Sequence, residues 1–136
     1  MAANTNPIFC DSPRASWIAT GTSANTALDG TGTVATVFTA GADGSKIEKV
    51  IVQHMGSNVD SVLRLFINNG SANSSAVNNA LIYELDVDAN TLSQVDVAAR
   101  YEIALDLQLP AGYKLNCTIG TAVAAGYMVS AFGGDY

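Results

Sequence analysis

Charged side chains are scarce in this 136-residue chain. They make up 13% of its residues, about half of the roughly 25% that is typical of globular domains. Only six are Lys or Arg, against twelve Asp and Glu, so the formal net charge is −6. Nucleic-acid binding depends on basic side chains that displace counterions from phosphates, so this balance argues against nucleic acid as a partner.

Long apolar runs are also missing. No stretch approaches the roughly 18 apolar residues that would cross a membrane, so no membrane association is expected. Residues 1–7 have neither the positive start nor the apolar centre of a secretory signal, which predicts synthesis in a cytoplasm. The chain has two cysteines, Cys10 and Cys117, and a reducing compartment predicts that both are free thiols.

Groups that carry out chemistry are few. The single histidine, His54, is the one imidazole base available to a hydrolytic triad, and no nucleophile motif accompanies it. The two cysteines and the histidine lack the spacing of zinc ligands. Asp86–Asn90 resembles the opening of a calcium loop, but Thr91 and Val97 occupy the positions that need glycine and a bidentate acid. We therefore predict a protein without enzymatic activity, metal or cofactor, in which His54 faces solvent or is hydrogen-bonded.

Short runs rich in β-branched and aromatic residues dominate the rest of the chain. Clusters of Gly, Asn, Asp and Pro separate them at intervals of about 8–12 residues, the pattern of a β-sandwich or barrel. Within the runs, apolar residues occupy every second position, the period of a strand rather than a helix. The predicted strands are Ser16–Thr22, Thr33–Thr39, Lys46–Met55, Ser61–Asn68, Ala80–Asp86, Arg100–Leu109, Tyr113–Ile119 and Val123–Phe132.

The connections differ in how much their residues predict. Pro110 and Gly112 suit a tight turn, so Arg100–Leu109 and Tyr113–Ile119 are predicted to form a hairpin. Asn69–Asn79 reads as an exposed loop. Val87–Ala99 fits either a short capped helix or a further strand.

Residues 1–13 have no periodicity, yet they contain the apolar cluster Pro7, Ile8 and Phe9. A wholly disordered tail lacks such a cluster. We therefore predict an extended N-terminal arm over residues 1–13 that lies on this subunit or on a neighbour. Residues 14–136 form a single β-sandwich domain in this interpretation.

Aromatic residues either fill the core or anchor a partner. Trp17 and Tyr101 are predicted to lie in the core. For Tyr113, beside a turn, and for Tyr136, core packing and partner contact remain open. The candidate partner-binding residues are Pro7, Ile8, Phe9, Tyr113 and Tyr136.

Four segments together resemble a known class of proteins. They are Ser16–Thr22, Lys46–Gln53, Leu109–Leu115 and Val129–Tyr136. Through them the chain is similar to the small β-structured decoration, or cement, proteins of tailed bacteriophages. The resemblance implies an eight-stranded jelly-roll sandwich, commonly a homotrimer, that is made in the host cytoplasm. In the virion it binds the major capsid protein at the outer capsid surface and stabilises the shell.

A second interpretation is a carbohydrate- or receptor-binding sandwich of a phage tail or fibre. Such a module would stack Trp17, Tyr113 or Tyr127 on sugar rings.

Overall fold

A computed structural model describes residues 9–136. Within that range the chain forms eight strands and one 3-10 turn, in agreement with the predicted all-β sandwich. The strands are β1 (Ser12–Ala19), β2 (Ala35–Thr39), β3 (Ser45–His54), β4 (Ser61–Asn68), β5 (Asn79–Val87), β6 (Arg100–Leu109), β7 (Lys114–Ile119) and β8 (Tyr127–Asp135). The turn, Ala76–Asn78, lies in the predicted loop before β5.

The strands form two antiparallel sheets. Sheet A has the order β1-β8-β3-β6, and sheet B has the order β2-β7-β4-β5. The first strand pairs with the eighth, the second with the seventh, the third with the sixth and the fourth with the fifth. Such a chain is one long hairpin rolled into two facing sheets, which is the jelly roll. The predicted fold class is therefore correct.

The core lies between the sheets. Strand alternation places one side of each strand inward, and Val50, Val52, Val129 and Ala131 of sheet A are completely buried. Residues from sheet B face them, with Leu63 and Leu65 also completely buried.

The predicted hairpin of Arg100–Leu109 with Tyr113–Ile119 is wrong. β6 pairs with β3 in sheet A, whereas β7 lies between β2 and β4 in sheet B. The turn itself forms as expected, since the Tyr113 amide donates to the Pro110 carbonyl at 3.1 Å and Gly112 has a φ of 74°. It turns the chain from one sheet to the other, because the same turn geometry serves a corner as well as a hairpin.

β1 starts earlier than its residues predict. It begins at Ser12 because β8 continues to Asp135, so that Ser12 lies opposite Asp135 and Ala15 opposite Phe132. The boundary predicted after residue 13 therefore falls inside a strand. Before β1, the Asp11 amide still donates to the Asp135 carbonyl at 2.8 Å.

An irregularity crosses sheet A at Glu48. The register of β3 shifts between Ile47 and Lys49 against both β6 and β8. On the β8 side Gly133 stands at this point, and a Cβ there would lie 1.8 Å from the Lys46 carbonyl oxygen. The absence of a side chain at Gly133 lets the two backbones approach.

The two outer faces of the sandwich differ. The β1–β2 connection, residues 20–34, crosses the outside of sheet B and is held by side-chain amides. Asn73 donates to the Gly32 carbonyl at 2.8 Å, and Asn79 donates to the Asp29 carbonyl at 3.0 Å. Phe66, which points outward from β4, is consequently 1% exposed. The outer face of sheet A has no such cover from the described residues.

Candidate partner-binding surface

The outer face of sheet A is largely apolar on its β1 and β8 side. Trp17 and Ile51 lie on either side of Ser130 in register, so the three side chains share this face. The neighbouring rows add small and apolar residues from the same strands. These residues, called the Trp17 face below, are Ala15, Trp17, Ala19, Ile51, Met128 and Phe132.

Trp17 is 63% exposed, so its predicted place in the core is wrong. Strand parity explains its position, because Ser16 and Ile18 are the half-buried neighbours that point inward. Arg14, two residues before Ser16, also points inward. It stacks on the Phe38 ring, with its guanidinium carbon 4.2 Å from the ring centroid. An indole left in solvent on an apolar face is typical of a protein-binding anchor.

A charged rim borders this face on the β3 and β6 side. The Lys49 ammonium lies 3.6 Å from one Glu102 oxygen, and the Arg100 guanidinium lies 3.3 Å from the other. Exposed ion pairs of this kind contribute little to stability. Their arrangement instead gives the apolar patch a polar border, as protein interfaces have.

The structure describes three of the five predicted partner-binding residues. Pro7 and Ile8 lie outside the described residues. Phe9 is 77% exposed beside the start of β1. Tyr113 and Tyr136 are half-buried at the same end of the sandwich, where the Tyr113 carbonyl accepts from Ala40 and the Tyr136 amide donates to Gly44.

The β5–β6 connection, residues 88–99, forms neither the helix nor the strand that its residues left open, apart from one isolated bridge between Asn90 and Asn58. Past Leu92 it projects into solvent. Val95 is 92% exposed and Val97 is 98% exposed. No strand among the described residues pairs with this segment. The alternation of Val95 and Val97 with polar neighbours therefore does not give the segment a buried side.

Asn58 links three connections, namely β3–β4, β5–β6 and β7–β8. It is 5% exposed, and its Oδ1 accepts from the amides of Ala125 at 2.8 Å and Gly126 at 3.0 Å. Its Nδ2 donates to the Gly126 carbonyl at 2.8 Å and to Nδ1 of His54 at 3.1 Å. Its backbone exchanges two hydrogen bonds with Asn90. His54 is thus a hydrogen-bonded strand residue, as predicted.

We expect stability to fall between about pH 7 and pH 5. Burial lowers the pKa of His54, an effect partly offset by a hydrogen bond to the Asp88 backbone. The unfolded chain then takes up a proton near pH 6.5 before the folded chain does, so stability is complete above that pH and is lost as pH falls through the folded pKa. Urea unfolding of wild type and His54→Gln at pH 7.5 and pH 5 measures this. An equal loss in both proteins would contradict the assignment.

Protonation of Asp135 affects stability at lower pH than protonation of His54. Burial tends to raise its pKa, but hydrogen bonds from Ser45 and Arg14 lower the pKa below its ordinary value. Its contribution is present above about pH 4 and is lost as pH falls further.

The cysteines are free thiols, as predicted. Burial raises the pKa of the Cys117 thiol to about 12, so this sulfur is not a nucleophile at neutral pH. Among residues 9–136, no group of three Asp, Glu, His or Cys side chains is placed to hold a metal ion. The same residues contain no helix that is long and apolar enough to cross a membrane.

Comparison with known proteins gives little. No protein-family model matches the chain, and no curated protein matches it. Among solved structures it is similar to part of a protein of the T13 IBDV viral particle, with 14% identity and a TM-score of 0.32. The match covers 96% of this chain and 35% of that chain, so this chain spans about a third of that protein. The jelly-roll assignment rests on the strand order.

Proposed function

We propose that this protein is a non-enzymatic virion structural protein that binds the outer surface of a phage capsid through the Trp17 face. Its partner is the major capsid protein, it acts as a homotrimer, and it cements the shell. Two observations besides the resemblance to phage decoration proteins support this. The jelly roll is a fold of viral capsid and lectin domains, and the outer face of sheet A is apolar on its β1 and β8 side and is not covered by any of residues 9–136.

The exposed Trp17 is the observation that carries the proposal. Its row neighbour Ser130 is small, and the Trp17 side chain is 63% exposed. Tryptophan is enriched among the few residues that dominate binding energy at interfaces. The low charge of the chain also limits the number of ions that a partner would have to desolvate.

Cementing would follow from mass action. A protein that binds the assembled shell, and not its free subunits, stabilises the shell at each site by RT ln(1 + [L]/Kd). That amounts to about 2.7 kcal/mol at a hundredfold excess over Kd. The stabilising free energies of many equivalent sites would add up over the whole shell.

Trp17→Ala is expected to weaken capsid binding by about 30-fold, equivalent to roughly 2 kcal/mol. Co-sedimentation with empty, expanded capsids measures the affinity. Folding should be unaffected within about 0.5 kcal/mol, because the side chain is exposed. Tyr83→Ala is the matched control, since Tyr83 is a 39% exposed aromatic on sheet B. Equal binding by both variants would exclude the Trp17 face as the contact.

The carbohydrate-binding interpretation keeps one supporting observation. An exposed indole on a flat sheet face can stack on a sugar ring. Tyr127 has no such role, because it is completely buried. Saturable binding on a glycan array that is lost in Trp17→Ala, together with no capsid binding, would favour this alternative.

A further inference from the structure

A small polar cup lies on the outside of sheet B, close to where β7 begins. Its volume is about 190 Å³, several times the roughly 30 Å³ that one water molecule occupies in the liquid. Its walls come from the end of the β1–β2 connection, from β2, β4 and β7, and from the loop after β4. They are Val34, Thr36, Asn68, Gly70, Ser71, Ala72, Asn73, Lys114 and Asn116.

Among residues 9–136, Lys114 is the one cation that lines this cup. Five of the six basic residues make ion pairs, namely Arg14, Lys46, Lys49, Arg64 and Arg100. Lys114 has no ion-pair partner among the described residues, although the chain has twice as many acids as bases. It is also half-buried, and an ammonium group without an ion-pair partner attracts a nearby anion.

A second donor in the cup has no partner either. Asn116 is 3% exposed, and its Oδ1 accepts from the Thr36 hydroxyl at 2.8 Å. Its Nδ2 makes no hydrogen bond to any described residue. This nitrogen is not sealed from solvent, so it is open to a water molecule or to a ligand in the cup.

Two asparagine side chains of the cup are used elsewhere. Asn68 accepts from the Gly70 amide and donates to Asn79, and Asn73 donates to the carbonyls of Gly30 and Gly32. These bonds leave the Lys114 ammonium, the Asn116 Nδ2 and the Ser71 hydroxyl as the groups available to a ligand. No acidic residue in the described part of the chain lines the cup.

We propose that this cup binds a carboxylate group. The ammonium of Lys114 supplies the charge, and Nδ2 of Asn116 supplies a second hydrogen bond. The carboxylate belongs either to a free small molecule or to an Asp or Glu side chain of the partner. The second source rests on the proposed function, because it makes the cup part of the capsid contact.

Sodium acetate is the probe for the cup itself. It is titrated into the ¹⁵N-labelled full chain at constant ionic strength, and two-dimensional NMR follows the amides. We expect saturable shifts at Ser71, Lys114 and the Asn116 side-chain amide, with a Kd of about millimolar order. Lys114→Met should abolish them. Lys46→Met, which removes the same charge from an ion pair with Asp106 in sheet A, should not.

Shifts that rise without saturation, or that persist in Lys114→Met, would overturn the cup whatever the capsid assay shows. Capsid co-sedimentation of the two lysine variants then identifies the source. A loss of about tenfold in Lys114→Met alone assigns the carboxylate to the capsid protein. Saturable acetate binding with unchanged capsid affinity assigns the cup to a free carboxylate.

Discussion

Gly133→Ala is expected to destabilise the fold by at least about 4 kcal/mol, among the largest effects of a single substitution. A Cβ at this position would lie 1.8 Å from the Lys46 carbonyl oxygen and 2.9 Å from the Ile47 Cα. Both neighbours are backbone atoms of β3, so no rotamer change relieves the clash. The strands would have to separate where β8 joins β1 to β3.

Urea unfolding followed by tryptophan fluorescence or circular dichroism measures this loss. Gly21→Ala is the control, because a Cβ at Gly21 would have no neighbour within 4 Å. That variant should unfold within about 0.5 kcal/mol of wild type. Similar stabilities for the two variants would show that β3 and β8 do not approach as described.

Asn58→Ala is expected to cost about 3 kcal/mol or more. The substitution leaves the amides of Ala125 and Gly126, the Gly126 carbonyl and His54 Nδ1 without their partner. Each buried polar group left unpaired costs about 1–3 kcal/mol, less where water enters. Because Asn58 also bonds to Asn90 through its backbone, we expect the β5–β6 connection to loosen with it.

Hydrogen exchange separates local from global effects in this variant. The amides of Ala125 and Gly126 should exchange faster than the centre of β8 under conditions where the protein stays folded. Asn69→Ala is the matched control. Asn69 is exposed, and its side-chain bonds to Asn78 and Ser71 lie in a surface loop, so a cost below about 1 kcal/mol is expected. Equal costs for the two variants would contradict the role of Asn58.

Strand positions were predictable because burial imposes a period of two. Ser61–Asn68 and Arg100–Leu109 have the predicted bounds, and in the second the inward residues Ile103 and Leu109 are buried. Pairing was not predictable in the same way. The turn residues Pro110 and Gly112 determine that the chain reverses, but the sheet that each flanking strand joins depends on distant partners.

The candidate surface was missed for a related reason. Large aromatic residues are usually buried, and the Ser16-Trp17-Ile18 pattern does not show which parity faces inward. The register with β8 decides it, since inward Val129 lies opposite Ile18 and outward Ser130 opposite Trp17. The two donors of the polar cup, Lys114 and Asn116, lie on one side of β7, but no local pattern brings Asn68 and the loop after β4 beside them.

The position of β8 has a consequence for synthesis. β8 lies between β1 and β3, so those two strands have no common partner until residues 127–135 leave the ribosome. Until then the nascent chain exposes unpaired strand edges, which are prone to aggregate. Sheet A is therefore completed only after β8 has been synthesised, and the speed of folding is limited by bringing together segments separated by more than a hundred residues.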